Sequence, residues 1–335
     1  MPVATDAHAG WSSGRPPETA AASPTHPQPG FGVRGRAGTS MPVATNVHIP
    51  VQRRRADAPA RPRPNHSQMT PPSSEAGRHA ERAHSFNAAA AQYSANRPSY
   101  PPALFDAVEE LAGRSLDGAR TADVGAGTGI STGLLHTRGA NVLAVEPGPG
   151  MAAEFRRVHP GIPIVRGSGD ALPLATASMD VLTYAQSWHW TEPRRSVPEA
   201  IRVLRPGGAL ALWWNTQALD VPWIEAAARR AELFLGLDEK DIKKEKSPAS
   251  NRPVDSLAAD PTGTLSFEHR QVRWSRSVPV DTRLANIGSH SQFLVLGEEA
   301  TAAFFAEERD HLLQAFPEGS VEETYVVELL VAIRS

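Results

Sequence analysis

Apolar positions are unevenly distributed along the chain. From Phe86 onward, short apolar runs alternate with stretches whose apolar residues recur every three or four positions. The runs predict strands over 120–124, 141–146, 162–166, 179–184 and 209–215. The helical spacing predicts helices over 131–138, 149–158 and 195–204 between them. An earlier helix is expected over 101–112. Pro101 and Pro102 pre-set its first turn, Leu104, Val108 and Leu111 share a face, and Gly113 ends it. Short, largely apolar strands that read as buried, alternating with helices, predict a parallel sheet covered on both faces.

After Asn215 the pattern loosens. A helix is expected over 223–235, and a polar, proline-containing loop over 240–261 that holds all four lysines. Two more strands are expected over 265–274 and 324–334, with helices over 281–288 and 298–316 between them. A helical insertion at that place is a natural cap, so residues 281–316 are expected to form a lid.

Composition separates the first 85 of the 335 residues from the rest. They hold 13 of the 30 prolines and no leucine, and ten arginines face five acids, Asp6, Glu18, Asp57, Glu75 and Glu81. That segment therefore carries +5 and residues 86–335 carry −7, for a net −2. So few large aliphatic side chains cannot offset the ordering entropy of the backbone, and residues 1–85 are expected to be a disordered tail. Within it, Met1-Pro-Val-Ala-Thr5 recurs at Met41-Pro-Val-Ala-Thr45 and reads as a duplicated leader rather than a recognition element. The basic stretch from Arg53 to Arg63 reads as a solvated tail rather than a nucleic-acid contact. Residues 86–335 are expected to be one domain.

The absence of cysteine excludes disulfides, thiolate metal sites and a cysteine nucleophile. No apolar run approaches the roughly 20 residues of a membrane span. The first ten residues lack the basic-then-apolar order of a secretory signal, so a cytoplasmic, non-membrane protein is expected. The histidines are scattered, and no His/Asp/Glu cluster has metal-ligand spacing.

The chemistry-bearing pattern is Asp123-Val-Gly125-Ala126-Gly127-Thr128-Gly129, between a predicted strand and a predicted helix. Glycines there let the chain turn sharply and let a ligand approach the backbone. The spacing is G-x-G-x-G, not the G-x-G-x-x-G of dinucleotide sites. Glu146 closes the second strand, followed by Pro147, where a carboxylate can accept from both hydroxyls of a ribose. Asp170, in Gly169-Asp170-Ala171-Leu172-Pro173 after the third strand, can accept from the exocyclic amine of an adenine, with Ala171 as an apolar edge.

Together with Phe155 and Val203-Leu-Arg-Pro-Gly-Gly208, these segments resemble the class I S-adenosylmethionine-dependent methyltransferases, nearest to the type 11 group, over about residues 120–215. The resemblance implies a Rossmann-like, seven-stranded sheet whose last strand is antiparallel. It implies that Asp123 and the loop Gly125–Gly129 hold the methionine portion of S-adenosylmethionine, Glu146 its ribose and Asp170 its adenine. Relatives with a similar Tyr…Arg-Pro-x-Tyr-Pro stretch fold it over the cofactor, so 86–100 is a second expected lid and Tyr93 and Arg97 are expected at the methionine end.

Acceptor residues are expected beyond the fourth and fifth strands, because open parallel sheets bind ligands at the C-terminal ends of their strands. The fourth runs into Gln186-Ser-Trp188-His189-Trp190. Gln186 is assigned to the cofactor, and Trp188, Trp190 and Asn215 to the acceptor. His189, with a reference pKa near neutrality, and His290 in the lid are the candidate bases. An aromatic or apolar small-molecule acceptor is expected, and nucleic acid is not, because a domain at −7 repels a phosphate backbone. A catalytically lapsed cofactor-binding regulator and an NAD-dependent oxidoreductase are the alternatives.

Overall fold

A computed structural model of the chain describes residues 96–237, 260 and 262–335. The tail 1–85, Tyr93 and the loop 240–261 apart from Asp260 lie outside the described residues, as do the expectations for them. Everything described belongs to one unit, Pro62–Ser335.

Strand β1 (Arg120–Val124) is buried at four of its five positions, as a central strand requires, and its buried polar residues Thr121 and Asp123 are hydrogen-bonded. β2 (Asn141–Glu146) and β4 (Met179–Ala185) flank it in parallel. β3 (Ile164–Arg166) and β5 (Leu204–Gln217) extend the sheet on either side, also in parallel. β6 (Phe267–Pro279) and β7 (Ser320–Ile333) complete the order β3-β2-β1-β4-β5-β7-β6. β7 runs antiparallel to both neighbours. The seven-stranded mixed sheet with a reversed last strand is thus present.

Alternation along β5 builds two cores. Ala209, Ala211 and Trp213 pack with Leu104, Phe105 and Val108 of α1 (Pro102–Ala112), Leu135 of α2 (Ile130–Thr137) and Phe155 of α3 (Pro149–Val158). Leu210, Leu212 and Trp214 pack with Val197, Ala200 and Val203 of α4 (Pro193–Val203) on the opposite face. Trp213 is fully enclosed, edge-on to Tyr100 and Phe105 at 6.0 and 6.2 Å. Rings of this size dominate the apolar area removed from water.

Helix α5 (Pro222–Phe234) follows β5, and α6 (Val280–Gly288), α7 (Ser291–Leu296) and α8 (Glu298–Ala315) lie between β6 and β7. They share an aromatic core of their own: Phe234 stacks on Phe304 at 4.7 Å, and Phe293 on Phe304 at 5.5 Å. Because α5 and α6 each leave the C-terminal end of a strand in the parallel set, this layer sits at that end of the sheet.

Several boundaries differ from the sequence expectation. β5 begins at Leu204, not 209, and Gly207-Gly208 is a kink inside it, with Gly207 at φ 72 and the register shifting opposite Met179 and Val181. β6 and β7 are longer than expected because their polar residues, such as Ser275, Ser277 and Glu322, occupy the exposed side of a two-strand border. The six-residue α7 is too short for a periodicity to reveal. Among the described residues, no helix is long and apolar enough to cross a membrane.

Candidate functional site

The loop after β1 turns because three glycines take left-handed conformations, with φ of 68 at Gly125, 59 at Gly127 and 95 at Gly129. Only glycine adopts these at little cost. Gly125 and Ala126 N–H donate to Val145 O at 2.8 and 3.1 Å, which pins the loop against β2. A Cβ on Gly125 would lie 2.5 Å from Ser187 Cβ, whereas one on Gly127 would meet nothing within 4 Å. The loop is therefore locked at its base and open at its tip. Thr128 is buried and its Oγ1 has no partner among the described residues.

Two buried acids hold this turn. Asp123 is sealed from solvent; Thr132 Oγ1 donates to its Oδ2 at 2.6 Å and Thr183 Oγ1 to its Oδ1 at 2.8 Å. Burial pushes its carboxyl up to about 6. Any effect of Asp123 on a ligand thus runs through α2 and β4, which it ties together on either side of the loop. Glu146 Oε2 accepts from Gly127 N–H at 2.8 Å, and Oε1 accepts from Gly148 N–H at 2.6 Å. Burial raises the Glu146 carboxyl and those two backbone donors lower it, with burial the stronger influence. Each oxygen keeps a second lone pair. Pro147 is exposed beside it, its carbonyl accepting from Arg166.

Asp170 stands on a turn that leaves from beside Glu146, since Gly167 N–H donates to Glu146 O at 3.4 Å. Its Oδ1 accepts from Glu192 N–H at 2.9 Å, and its Oδ2 has no partner among the described residues. Ala171 next to it is exposed and Leu172 is buried.

Past the ends of β4 and β5 lies a cavity of about 290 Å³. Ile130, directly after the glycine loop, lines it, as do Arg97, Gln186, Asn215, Asn286 and His290. Gln186 is held at φ 58, uncommon for a residue with a side chain, by its N–H to Trp213 O and its Nε2 to Asn215 O at 3.1 Å. Asn215 Oδ1 accepts from Trp274 Nε1 at 3.1 Å, while its Nδ2 is buried without a partner among the described residues. Arg97 Nη2 donates to Ser289 O at 3.2 Å, joining the segment before α1 to the end of α6. Asn286 Nδ2 donates to Tyr325 Oη at 3.1 Å.

The structure brings Arg97, Gln186, Asn215 and His290 together around that cavity and leaves the Trp-His-Trp turn outside its lining. Trp188 is core, edge-on to Tyr184 at 4.8 Å. His189 is exposed, and its Nδ1 accepts from Trp214 Nε1 at 3.3 Å. Trp190 is half-buried against His189. His290 is different: burial, with the charges of Arg97 and Arg283, pushes its imidazole down to about 3, so it is neutral at physiological pH. Among the described residues, no group of three His, Asp or Glu side chains is placed to hold a metal ion.

Sequence reasoning missed Ser187, whose Oγ donates to Val124 O at 2.6 Å and whose Cβ fills the space beside Gly125. It also missed the buried pair Arg283 and Glu323, joined at 3.0 Å. One signal was there: Val321, Glu323, Tyr325 and Val327 share a face of β7, which places a carboxylate on an apolar side.

Comparison with known proteins identifies this architecture. A family model described as a methyltransferase domain matches residues 122–212. An uncharacterized methyltransferase of Mycobacterium tuberculosis is 42% identical over 207 residues, 62% of this chain and 76% of that protein. The chain belongs to the class I S-adenosylmethionine-dependent methyltransferases. An uncharacterized methyltransferase-like protein of Schizosaccharomyces pombe is 34% identical over 160 residues, 47% of this methyltransferase-family chain and 59% of that protein. A solved structure assigned to a type II methyltransferase of Anaeromyxobacter dehalogenans shares the fold at a TM-score of 0.53 and 24% identity, over 71% of this chain and 98% of that one.

Proposed function

We propose that this protein transfers a methyl group from S-adenosylmethionine to a small molecule enclosed between the ends of β4 and β5 and the helices α5 to α7. The observation that carries the reading is the cavity that runs from Ile130, at the end of the glycine loop, to Asn286 and His290. It lies beside the glycine loop and is half open to the surface.

The residues present fit the donor. Gly127 leaves its face open, Glu146 keeps one lone pair on each oxygen for a ribose diol, and Asp170 Oδ2 is available to an adenine amine. Arg97 is the cation for the methionine carboxylate. When bound, the sulfonium supplies a methyl group on a leaving group that is already activated. The chain's own task is to align the acceptor and to exclude water, and orientation of this kind reaches effective molarities of about 10⁵–10⁸ M. Asn215 and Gln186 fix the floor of the chamber, and residues 281–316 close over it as a lid. His290 stands at the chamber as a neutral hydrogen-bonding group, and His189 braces Trp214.

Calorimetry of the full chain with S-adenosylhomocysteine and with NAD tests the reading. Binding of the first and not the second is expected; the reverse result would mean an oxidoreductase. Methyl transfer detected by mass spectrometry over a panel of small acceptors then separates an enzyme from a lapsed regulator that binds the cofactor without turnover.

A further inference from the structure

Across Thr216, Gln217 and His290 lies a second cavity, of about 230 Å³. Those three residues line both cavities, so the two chambers adjoin. The second is smaller than the roughly 300–1,000 Å³ of sites for drug-sized ligands. Ala227, Ala228, Ala231 and Leu235 from the α5 side, with Ile287 and Phe293, give it an apolar lining.

One cation breaks that lining. Arg283 is 1% exposed. Its Nη1 donates to Glu323 Oε1 and its Nη2 to Gln217 Oε1, both at 3.0 Å. Its Nε is buried with no partner among the described residues. Glu323 is shared, because Arg276 Nε donates to its Oε2 at 2.7 Å. Arg276 keeps part of its side chain in solvent while Arg283 is sealed, so Arg283 shares its one carboxylate partner and has a buried N–H left to satisfy, which is costly unless something pairs with it. His290 does not add to the charge of Arg283, since Arg97 and Arg283 themselves help to hold it neutral. Glu232 lines the same cavity with a buried Oε2 that has no partner among the described residues, so an amine is the natural competitor.

We propose that the second cavity is the acceptor subsite and that it selects small carboxylates with an apolar body. The carboxylate meets Arg283 Nε and the body lies along the alanines of α5. This rests on the methyltransferase reading above. A carboxylate is already ionised at neutral pH, so no residue of the subsite has to take a proton from it. That suits a chamber whose imidazole is a weak base.

The test is calorimetry of the full chain saturated with S-adenosylhomocysteine, titrated with octanoate, 1-octanol and octylamine. Octanoate is expected to bind at least about tenfold tighter than either, the size of a charge-assisted hydrogen bond. Arg283→Gln should erase the preference for octanoate over 1-octanol. Ala231→Phe fills the chamber while keeping Arg283, Arg276 and Glu323 in the chain; it should abolish octanoate binding and retain S-adenosylhomocysteine binding. Equal affinity for octanol, tighter binding of octylamine, or unchanged octanoate binding in Ala231→Phe would overturn the proposal. Failure of S-adenosylhomocysteine itself to bind would remove the reading beneath it.

Discussion

Glu146 Oε2 accepts the backbone N–H of Gly127 at 2.8 Å, so the end of β2 holds the tip of the loop that follows β1. The same carboxylate orders the turn into α3 through Gly148. Glu146→Ala leaves both donors without their partner, at about 1–3 kcal/mol each if no water replaces it. S-adenosylhomocysteine affinity should fall by about tenfold or more in this variant, measured calorimetrically. Unchanged affinity would remove Glu146 from the ribose position.

Gly125→Ala should destabilise the fold. Its φ of 68 disfavours any side chain, and the new Cβ would lie 2.5 Å from Ser187 Cβ. Adding Ser187→Gly opens the space but loses the bond to Val124 O, so it should recover only part of the loss. Urea unfolding of the two single variants and the double variant reads the coupling. Strict additivity would show that the steric contact is not the cause.

Asp123 makes stability depend on pH in a stated direction. Its folded carboxyl, at about 6, holds a proton more tightly than the unfolded reference of 3.8. Its contribution is therefore fully present below pH 3.8 and is lost as pH rises to about 6. Asp123→Asn lacks this titration. Relative to wild type, the variant should gain on the order of 3 kcal/mol between pH 4 and pH 7. Denaturant unfolding at both values checks it; Glu146 titrates in both proteins, and only the smallest part of its upward shift, the repulsion from the Asp123 charge, is lost in the variant. A constant difference across that range would refute the assignment.

His290 has the opposite sign. Its folded value of about 3 lies below the reference of 6.5, so its contribution is complete above pH 6.5 and is lost as pH falls toward 3. In a carbon–proton NMR spectrum of histidine-labelled protein, the peak that disappears in His290→Gln should keep its neutral-form shift at pH 5. A midpoint near 6.5 would show that water and charge reach the ring more freely than its burial allows.

The parallel half of the sheet was legible in the sequence because strands such as β2 and β5 are largely apolar and bounded by turn residues, and Asp123, Glu146 and Asp170 were singled out by their places in or just after β1, β2 and β3. The border of the sheet was less so. Ser275 and Ser277 read as loop until they are seen on the exposed side of a two-strand edge. The acceptor side was the least legible, because it is made by tertiary contact. Arg283 reads as the polar face of a helix, and only the approach of Glu323, forty residues later, turns it into a buried cation. His189 illustrates the converse: between two tryptophans it looks catalytic, yet its ring accepts from Trp214 on an exposed turn.

The reversed direction of β7 decides which part of the sequence reaches the chamber. Because that strand enters the sheet at the end where the others leave it, Glu323 and Tyr325 become chamber supports although they are encoded about two hundred residues after the glycine loop. The chain up to the end of β6 therefore holds Gly125–Gly129, Glu146 and Asp170 but neither Glu323 nor Tyr325. One backward strand carries the far wall of the chamber to a neighbour it meets only at the end of the sequence.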